Sequence, residues 1–171
     1  MARELTEKGL SDRLLVTRFL EGQSIDVLLS SPYKRAVDTI KDYADKHDMV
    51  IHCIDAFRER KIDVCWWLGD FSAFSKRQWE DFQYNLPGGE SLGEVQERNV
   101  KALKSAMQKY PGKNIVVGSH GTALSTIIHY FDNSFGYEDF DSIRNLTPWI
   151  VKFVFENDIC IEIEKIDLFA Q

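Results

Sequence analysis

Two short segments carry the residues best suited to chemistry, Ser30-Ser31-Pro32-Tyr33-Lys34-Arg35-Ala36 and Val117-Gly118-Ser119-His120-Gly121. Each reads as an apolar strand that turns directly into a helix, where an α/β fold offers free backbone N–H groups to an anion. Arg35 supplies a planar donor fork, and His120 supplies a titratable imidazole. Gly121 allows close backbone approach. The pair fits a phosphate-type anion. Phosphoryl transfer through a phosphohistidine would need a second strand-end histidine. The other three, His47, His52 and His129, fall at a helix end, on a strand and within a helix. Gly118-Ser119-His120-Gly121 is not a serine-hydrolase elbow, which needs a residue between the first glycine and the serine. Gly88-Gly89-Glu90-Ser91 lacks the Lys-Ser/Thr of a P-loop and reads as a turn before a helix.

These segments need a frame, and alternating elements supply it. Thr6 is placed to cap a helix with Leu10, Leu14, Leu15, Arg18 and Phe19 at helical spacing, stopped by Gly22. A strand over 25–29 follows. Ser31 then reads as an N-cap with Pro32 at the first helical position, and Ala36, Val37, Ile40, Tyr43 and Ala44 form that helix's buried stripe. A second strand covers 50–54. Residues 56–90 are irregular and aromatic (Phe57, Trp66, Trp67, Phe71, Phe74, Trp79, Phe82, Tyr84), with one helix near 75–84. They read as an insertion over one end of a sheet, whose aromatics either line a pocket or pack onto the core. Ser91 opens a long amphipathic helix that ends at Tyr110-Pro111-Gly112. An apolar strand over 114–118, a helix over 121–130, a loop with a short helix over 135–145 and a hairpin of 149–155 with 160–166 complete the chain.

The 171 residues are 44% hydrophobic and 28% charged, which suits a single domain over 1–171 with a substantial core. A net charge of −6 and no stripe of Lys or Arg leave no field to attract nucleic acid. Any anion must be held locally. Cys53, Cys65 and Cys160 are an odd count without CxxC spacing, which argues against a disulfide framework or zinc ribbon. They read as reduced, mostly buried thiols, and no metal site is suggested. No 18-residue apolar stretch or signal-peptide core occurs, so the expectation is a cytoplasmic protein away from membranes.

The order Leu5-Thr6-Glu7-Lys8-Gly9, Ser30-Ser31-Pro32 with Arg35-Ala36, Phe57-Arg58-Glu59-Arg60, Gly88-Gly89-Glu90-Ser91 and Val117-Gly118-Ser119-His120-Gly121 resembles the histidine phosphatase superfamily, also called phosphoglycerate-mutase-like. The match runs from Leu5 to the final hairpin. It implies a three-layer α/β/α fold with a mostly parallel sheet. It also implies a phosphorylated small-molecule substrate, attacked by a histidine and released by water, with no cofactor in the phosphatase mode. The short chain favours phosphatase over mutase. By the same resemblance Arg35 binds phosphate, Glu59 protonates the leaving oxygen, and His120 donates a hydrogen bond to a phosphoryl oxygen in the transition state. Ser119, Gly121 and Thr122 add backbone or hydroxyl contacts. Plainer alternatives stand beside these: a surface arginine, an ion pair of Glu59 with Arg58 or Arg60, and helix capping by His120, Ser119 or Thr122.

In that family the attacking histidine sits in an Arg-His-Gly motif at the end of the first strand, upstream of the Leu-Thr-Glu-Lys-Gly segment. Met1 lies four residues before Leu5, so that strand is expected to be missing here. The expectation is an N-terminally truncated phosphatase with little or no activity. The alternatives are a non-catalytic binder of a phosphorylated ligand or protein partner, and residual hydrolysis through His120 or water. Losing an interior strand removes on the order of ten ladder hydrogen bonds at ~1 kcal/mol net each. The remaining strands should therefore close up, or a second copy should cover the gap in a homo-oligomer.

Overall fold

The Thr6 hydroxyl accepts the Gly9 N–H and caps α1, Glu7–Glu21, which Gly22 closes. The computed structural model describes residues 3–63 and 69–169, so Cys65, Trp66 and Trp67 lie outside the described residues. Helix α1 packs through its C-terminal half. Val16, Thr17 and Leu20 are buried, with Leu15 and Phe19 against the same cluster, whereas Leu10 and Leu14 remain 43% and 45% exposed. The expected stripe is thus correct only in its later turns.

After α1 come β1 (Val27–Ser30), α2 (Lys34–Lys46), β2 (Ile51–Cys53) and a 3-10 turn at Asp55–Phe57. Then follow α3 (Phe71–Glu80), α4 (Leu92–Lys109), β3 (Ile115–Gly118), α5 (Gly121–Phe131), α6 (Tyr137–Ile143), β4 (Ile150–Glu156) and β5 (Ile159–Ile166). Strands β2, β1 and β3 form a parallel sheet in that order, with Ser30 opposite both Cys53 and Gly118. Successive side chains on β1 face opposite ways. Leu28 joins Val16, Leu20, Ile40 and Tyr43 of α1 and α2, while Leu29 joins Phe57 and Ala106, with Ala102 and Leu103 of α4 packed alongside. Helices therefore cover both faces, which is the expected α/β/α layering.

The chain leaves β1 toward β2 on one side and returns to β3 on the other. The crevice beyond the carboxyl ends of β1 and β3 is therefore a topological switch point, where such sheets bind ligands.

The hairpin β4–β5 is a separate two-stranded sheet. Asn157 and Asp158 both take positive φ, 47° and 66°, as a tight hairpin turn requires. Ile150 and Ile166 on one face pack with Val116 toward α1 and α2, while Val151, Phe153 and Ile163 on the other pack beside Leu124 and Ile128 of α5. The hairpin thus contributes to both layers without hydrogen-bonding to β3. The remaining strands do not close up: among the described residues, β3 has a strand partner on one edge only.

Three local expectations are corrected. Helix α3 begins at Phe71, not near 75, because the Asp70 carboxylate accepts the Ser72 and Ala73 N–H groups and starts it earlier. Helix α2 begins at Lys34 with Tyr33 as N-cap, because the Ser31 hydroxyl instead accepts the Tyr33 N–H. Cys53 is exposed at the end of the short edge strand β2, and Cys160 is half-buried next to the turn of the two-stranded hairpin. The described aromatics mostly pack inward. Phe57 and Phe74 are buried, and Trp79 meets Phe82, His129, Phe135 and Phe140.

The segment carrying Glu59 is held by a charged clamp. A Cβ on Gly89 would stand 2.1 Å from the Ile62 carbonyl oxygen, so only glycine lets the two backbones approach. That approach allows the Glu90 N–H to reach the Lys61 carbonyl at 2.7 Å. The Glu90 carboxylate accepts from Arg58 Nη2 at 2.7 Å, Lys61 N at 2.9 Å and Arg98 Nε at 2.9 Å. Arg98 also donates to the carbonyls of Ala56 and Arg58 at 2.7 and 2.8 Å, with Glu59 O at 3.4 Å. One guanidinium thus gathers three carbonyls of this irregular stretch. Burial pushes the Glu90 carboxyl up, but bonds from Arg98 and Lys61 and the charges of Arg98 and Arg58 outweigh it and hold it below the usual glutamate range.

Arg98→Met should lower stability by about 3 kcal/mol, the lower end for removing one partner of a mostly buried pair. Gly89→Ala should lower it by about 1–3 kcal/mol through overpacking. Urea unfolding midpoints check both.

Candidate active site

The pairing of Ser30 with Gly118 brings the two chemistry-bearing segments side by side at the switch point. The Ser31 N–H continues the ladder by donating to the Gly118 carbonyl at 2.8 Å. Gly118 is required here, since a Cβ would lie 2.7 Å from Ser30 Oγ and 2.8 Å from the Ala36 carbonyl. This close approach sets the start of α2 directly beside the end of β3.

His120 is the N-cap residue of α5, yet its side chain makes no capping bond. Its Nε2 lies 2.8 Å from Ser31 Oγ, and its ring meets Tyr33 edge-on with centroids 5.2 Å apart. Burial is the main reason its pKa falls to about 3, with the charges of Arg35 and Arg98 adding to the effect. The imidazole is therefore neutral at neutral pH.

Arg35, in the first turn of α2, lies over the Tyr33 ring at 5.0 Å and makes no ion pair within 4 Å among the described residues. Partial burial lowers its pKa, the Arg3 charge acts the same way, and the charge of Glu59 opposes both. It stands as a charged donor fork, half out of water, without a protein carboxylate to satisfy it.

Glu59 follows the 3-10 turn. Its Oε1 accepts the Arg60 N–H at 2.7 Å, and Oε2 lies 3.4 Å from the Thr122 N–H in the first turn of α5. Neither neighbouring arginine pairs with it. Arg58 goes to Asp55 and Glu90, and the buried Arg60 guanidinium goes to Gln78. The ion-pair alternative for Glu59 is therefore absent.

Ser119 Oγ is buried and has no hydrogen-bond partner, so it does not cap α5. Gly121 begins α5, and a Cβ there would meet nothing within 4 Å, which leaves the space before the helix open. Arg35, Glu59 and His120 thus meet at the ends of β1 and β3, with Ser119 and Gly121 beside them. The remaining histidines lie apart: His47 ends α2, His52 is exposed on β2, and His129 bonds the Phe135 carbonyl within an aromatic cluster. No group of three His, Cys, Asp or Glu side chains that could hold a metal occurs among the described residues.

One residue escapes sequence reading and another is read in a different role. Arg98 carries its signal only in position, three residues after the buried Val95 on the face that meets the Glu59 segment. Ser31 was visible but took the wrong role, since a serine before proline suits a helix cap as well as a strand-end contact.

Comparison with known proteins places the chain in a family. The profile of the histidine phosphatase superfamily (branch 1) matches residues 3–160. The chain is 27% identical over 141 residues to a 2,3-bisphosphoglycerate-dependent phosphoglycerate mutase 2 of Gloeobacter violaceus, covering 75% of this chain and 64% of that protein. It is 28% identical over 131 residues to a phosphoserine phosphatase 1 of Hydrogenobacter thermophilus, covering 68% and 59%. The chain therefore spans about three fifths of these relatives' lengths. Among solved structures, a mutant phosphoserine phosphatase from Entamoeba histolytica in complex with phosphoserine superposes with a TM-score of 0.74 at 22% identity, covering 94% of this chain and 83% of that one. The α-ribazole phosphatase of Shigella flexneri does so at 0.74 and 18%, covering 98% and 85%. These structures share the fold. With the profile spanning nearly the whole chain, the protein belongs to the histidine phosphatase superfamily, branch 1.

Proposed function

We propose that this chain binds the phosphoryl group of a phosphorylated small molecule in the crevice between Arg35, Glu59 and His120. The observation that carries this reading is the convergence of those three side chains on two helix N-termini at the switch point of a histidine phosphatase fold. Arg35 neutralises the phosphoryl oxygens with its unpaired fork, and the Gly121 N–H at the start of α5 meets the same anion, with Ser119 just before the helix adding a contact. Neutral His120 donates to a phosphoryl oxygen as charge builds there. Glu59 hands a proton to the leaving oxygen. Hydrolysis of a phosphomonoester through a phosphohistidine is the reaction these roles serve, and relatives named as phosphatases and as a mutase support that class.

The attacking histidine is not among these roles, because His47, His52 and His129 all lie away from the crevice. The 171 residues by themselves are therefore proposed to bind phosphate with little or no turnover. The same observation favours a second reading, a non-catalytic binder of phosphorylated ligands. The unpaired edge of β3 supports a further proposal, that a second copy of the chain covers it.

Aryl phosphate hydrolysis separates the readings when measured on the 171-residue chain, on its His120→Ala form and on a version extended upstream by the natural coding sequence. Turnover confined to the extended protein is expected; His120-dependent turnover by the 171-residue chain would overturn the proposal of little or no turnover. Arg35→Ala should weaken inorganic phosphate binding roughly 10- to 100-fold, the equivalent of a charge-assisted bond worth ~1.5–3 kcal/mol. Sedimentation tests the covering copy, with a dimer expected and a monomer at micromolar concentration counting against it.

Acid stability checks the burial of His120. The folded group titrates near 3 against 6.5 for an ordinary histidine, so between those values the unfolded chain binds a proton that the folded one refuses. Its contribution is complete above pH 6.5 and is lost as pH falls toward 3. His120→Asn should flatten the fall in stability across that window.

A further inference from the structure

Ser31 has no exposure to solvent, and its hydroxyl oxygen already accepts the Tyr33 N–H at 3.2 Å. His120 Nε2 stands 2.8 Å from the same oxygen. Among the described residues that hydroxyl has no other hydrogen-bond partner. A serine hydroxyl has one proton to donate and two lone pairs to offer. If Nε2 carried the imidazole proton, Ser31 would accept twice and its own O–H would be left in a dry interior with no acceptor. A buried donor without an acceptor costs free energy, and buried polar groups are seldom left so. If Nε2 is bare, the Ser31 O–H donates to it, the Tyr33 N–H donates to Ser31, and every group is satisfied. The imidazole proton then sits on Nδ1, which has no hydrogen-bond partner among the described residues.

We propose that Ser31 is a positioning residue that sets the tautomer of His120, keeping Nε2 as acceptor and Nδ1 as the donor offered to a phosphoryl oxygen. The backbone makes this assignment robust. The Ser31 N–H is fixed on the Gly118 carbonyl, and the Tyr33 N–H is fixed on the hydroxyl, so Ser31 enters the site already oriented on both sides. An imidazole held otherwise would present a lone pair to an anionic ligand, where repulsion replaces the hydrogen bond. The proposal rests on the reading of His120 as a phosphate donor, but its primary test does not depend on ligand.

Long-range ¹H–¹⁵N correlation spectra of the labelled 171-residue chain resolve the ring nitrogens of its four histidines, with His120→Gln identifying the relevant set. At neutral pH the expected pattern for His120 is a protonated Nδ1 and an unprotonated Nε2. Ser31→Ala should convert this to the opposite tautomer or a mixture, whereas Ser31→Thr, which retains the hydroxyl, should preserve it. Ser31→Ala should also weaken inorganic phosphate binding about tenfold, with Ser31→Thr near the parent value. A protonated Nε2 in the unaltered chain overturns the proposal, even if Ser31→Ala does not fold, and so does a tautomer unchanged in a folded Ser31→Ala. The expected tautomer in a chain that binds no phosphate would leave Ser31's role intact and sink the functional reading instead.

Discussion

The register of a single parallel strand pair governs this molecule. With Ser30 opposite Gly118, the ladder ends by placing Ser31 beside His120 and the start of α2 beside the start of α5. A slip of one residue would turn every side chain on β3 to the other face and separate the two segments. Two features make that register hard to alter. Leu28 and Leu29 face different helical layers, so each layer reads the strand independently. Gly118 admits the Ala36 carbonyl where a larger residue could not. Packing and site geometry are therefore fixed by the same few contacts.

Charge is arranged locally against the global balance. The chain carries a net charge of −6, and its carboxylates line the surface in ordinary pairs such as Lys41 with Asp45 and Lys113 with Asp26. Within the crevice the order reverses. Arg98 is taken up by Glu90 and by backbone carbonyls, so its charge supports the Glu59 segment, while Arg35 is left without a carboxylate partner. The positive charge of Arg35 is then felt only at short range. Neutral His120 adds donor capacity without adding a charge that Arg35 would repel.

Much of this was legible in the chain because local signals agreed with one another. Thr6 and Ser91 carry caps that the structure uses, and the turn at 156–158 supplied a hairpin with the right residues for positive φ. The site residues stood out because apolar strands ending in Ser-Ser-Pro and Gly-Ser-His-Gly leave few other readings. What was not legible depends on distance in space. Asp70 starts α3 earlier than periodicity suggested because one carboxylate satisfies two N–H groups. The direction of the Arg60 side chain into α3, leaving Glu59 unpaired, follows from the amide of Gln78, eighteen positions away. The exposure of Leu10 and Leu14 depends on how far the sheet extends beneath α1, which no helical periodicity encodes.

The division between the parallel sheet and the hairpin gives α5 a particular mechanical place. It begins at Gly121, just after His120 in the crevice, and its Leu124 and Ile128 pack beside Val151, Phe153 and Ile163 of the hairpin. It meets both halves of the β layer, as does the cluster that Leu28 and Val116 share with Ile150 and Ile166. The N–H groups at the start of this helix are therefore placed both by the end of β3 and by the packing of the hairpin's inner face, so the two sheets share one element at the crevice.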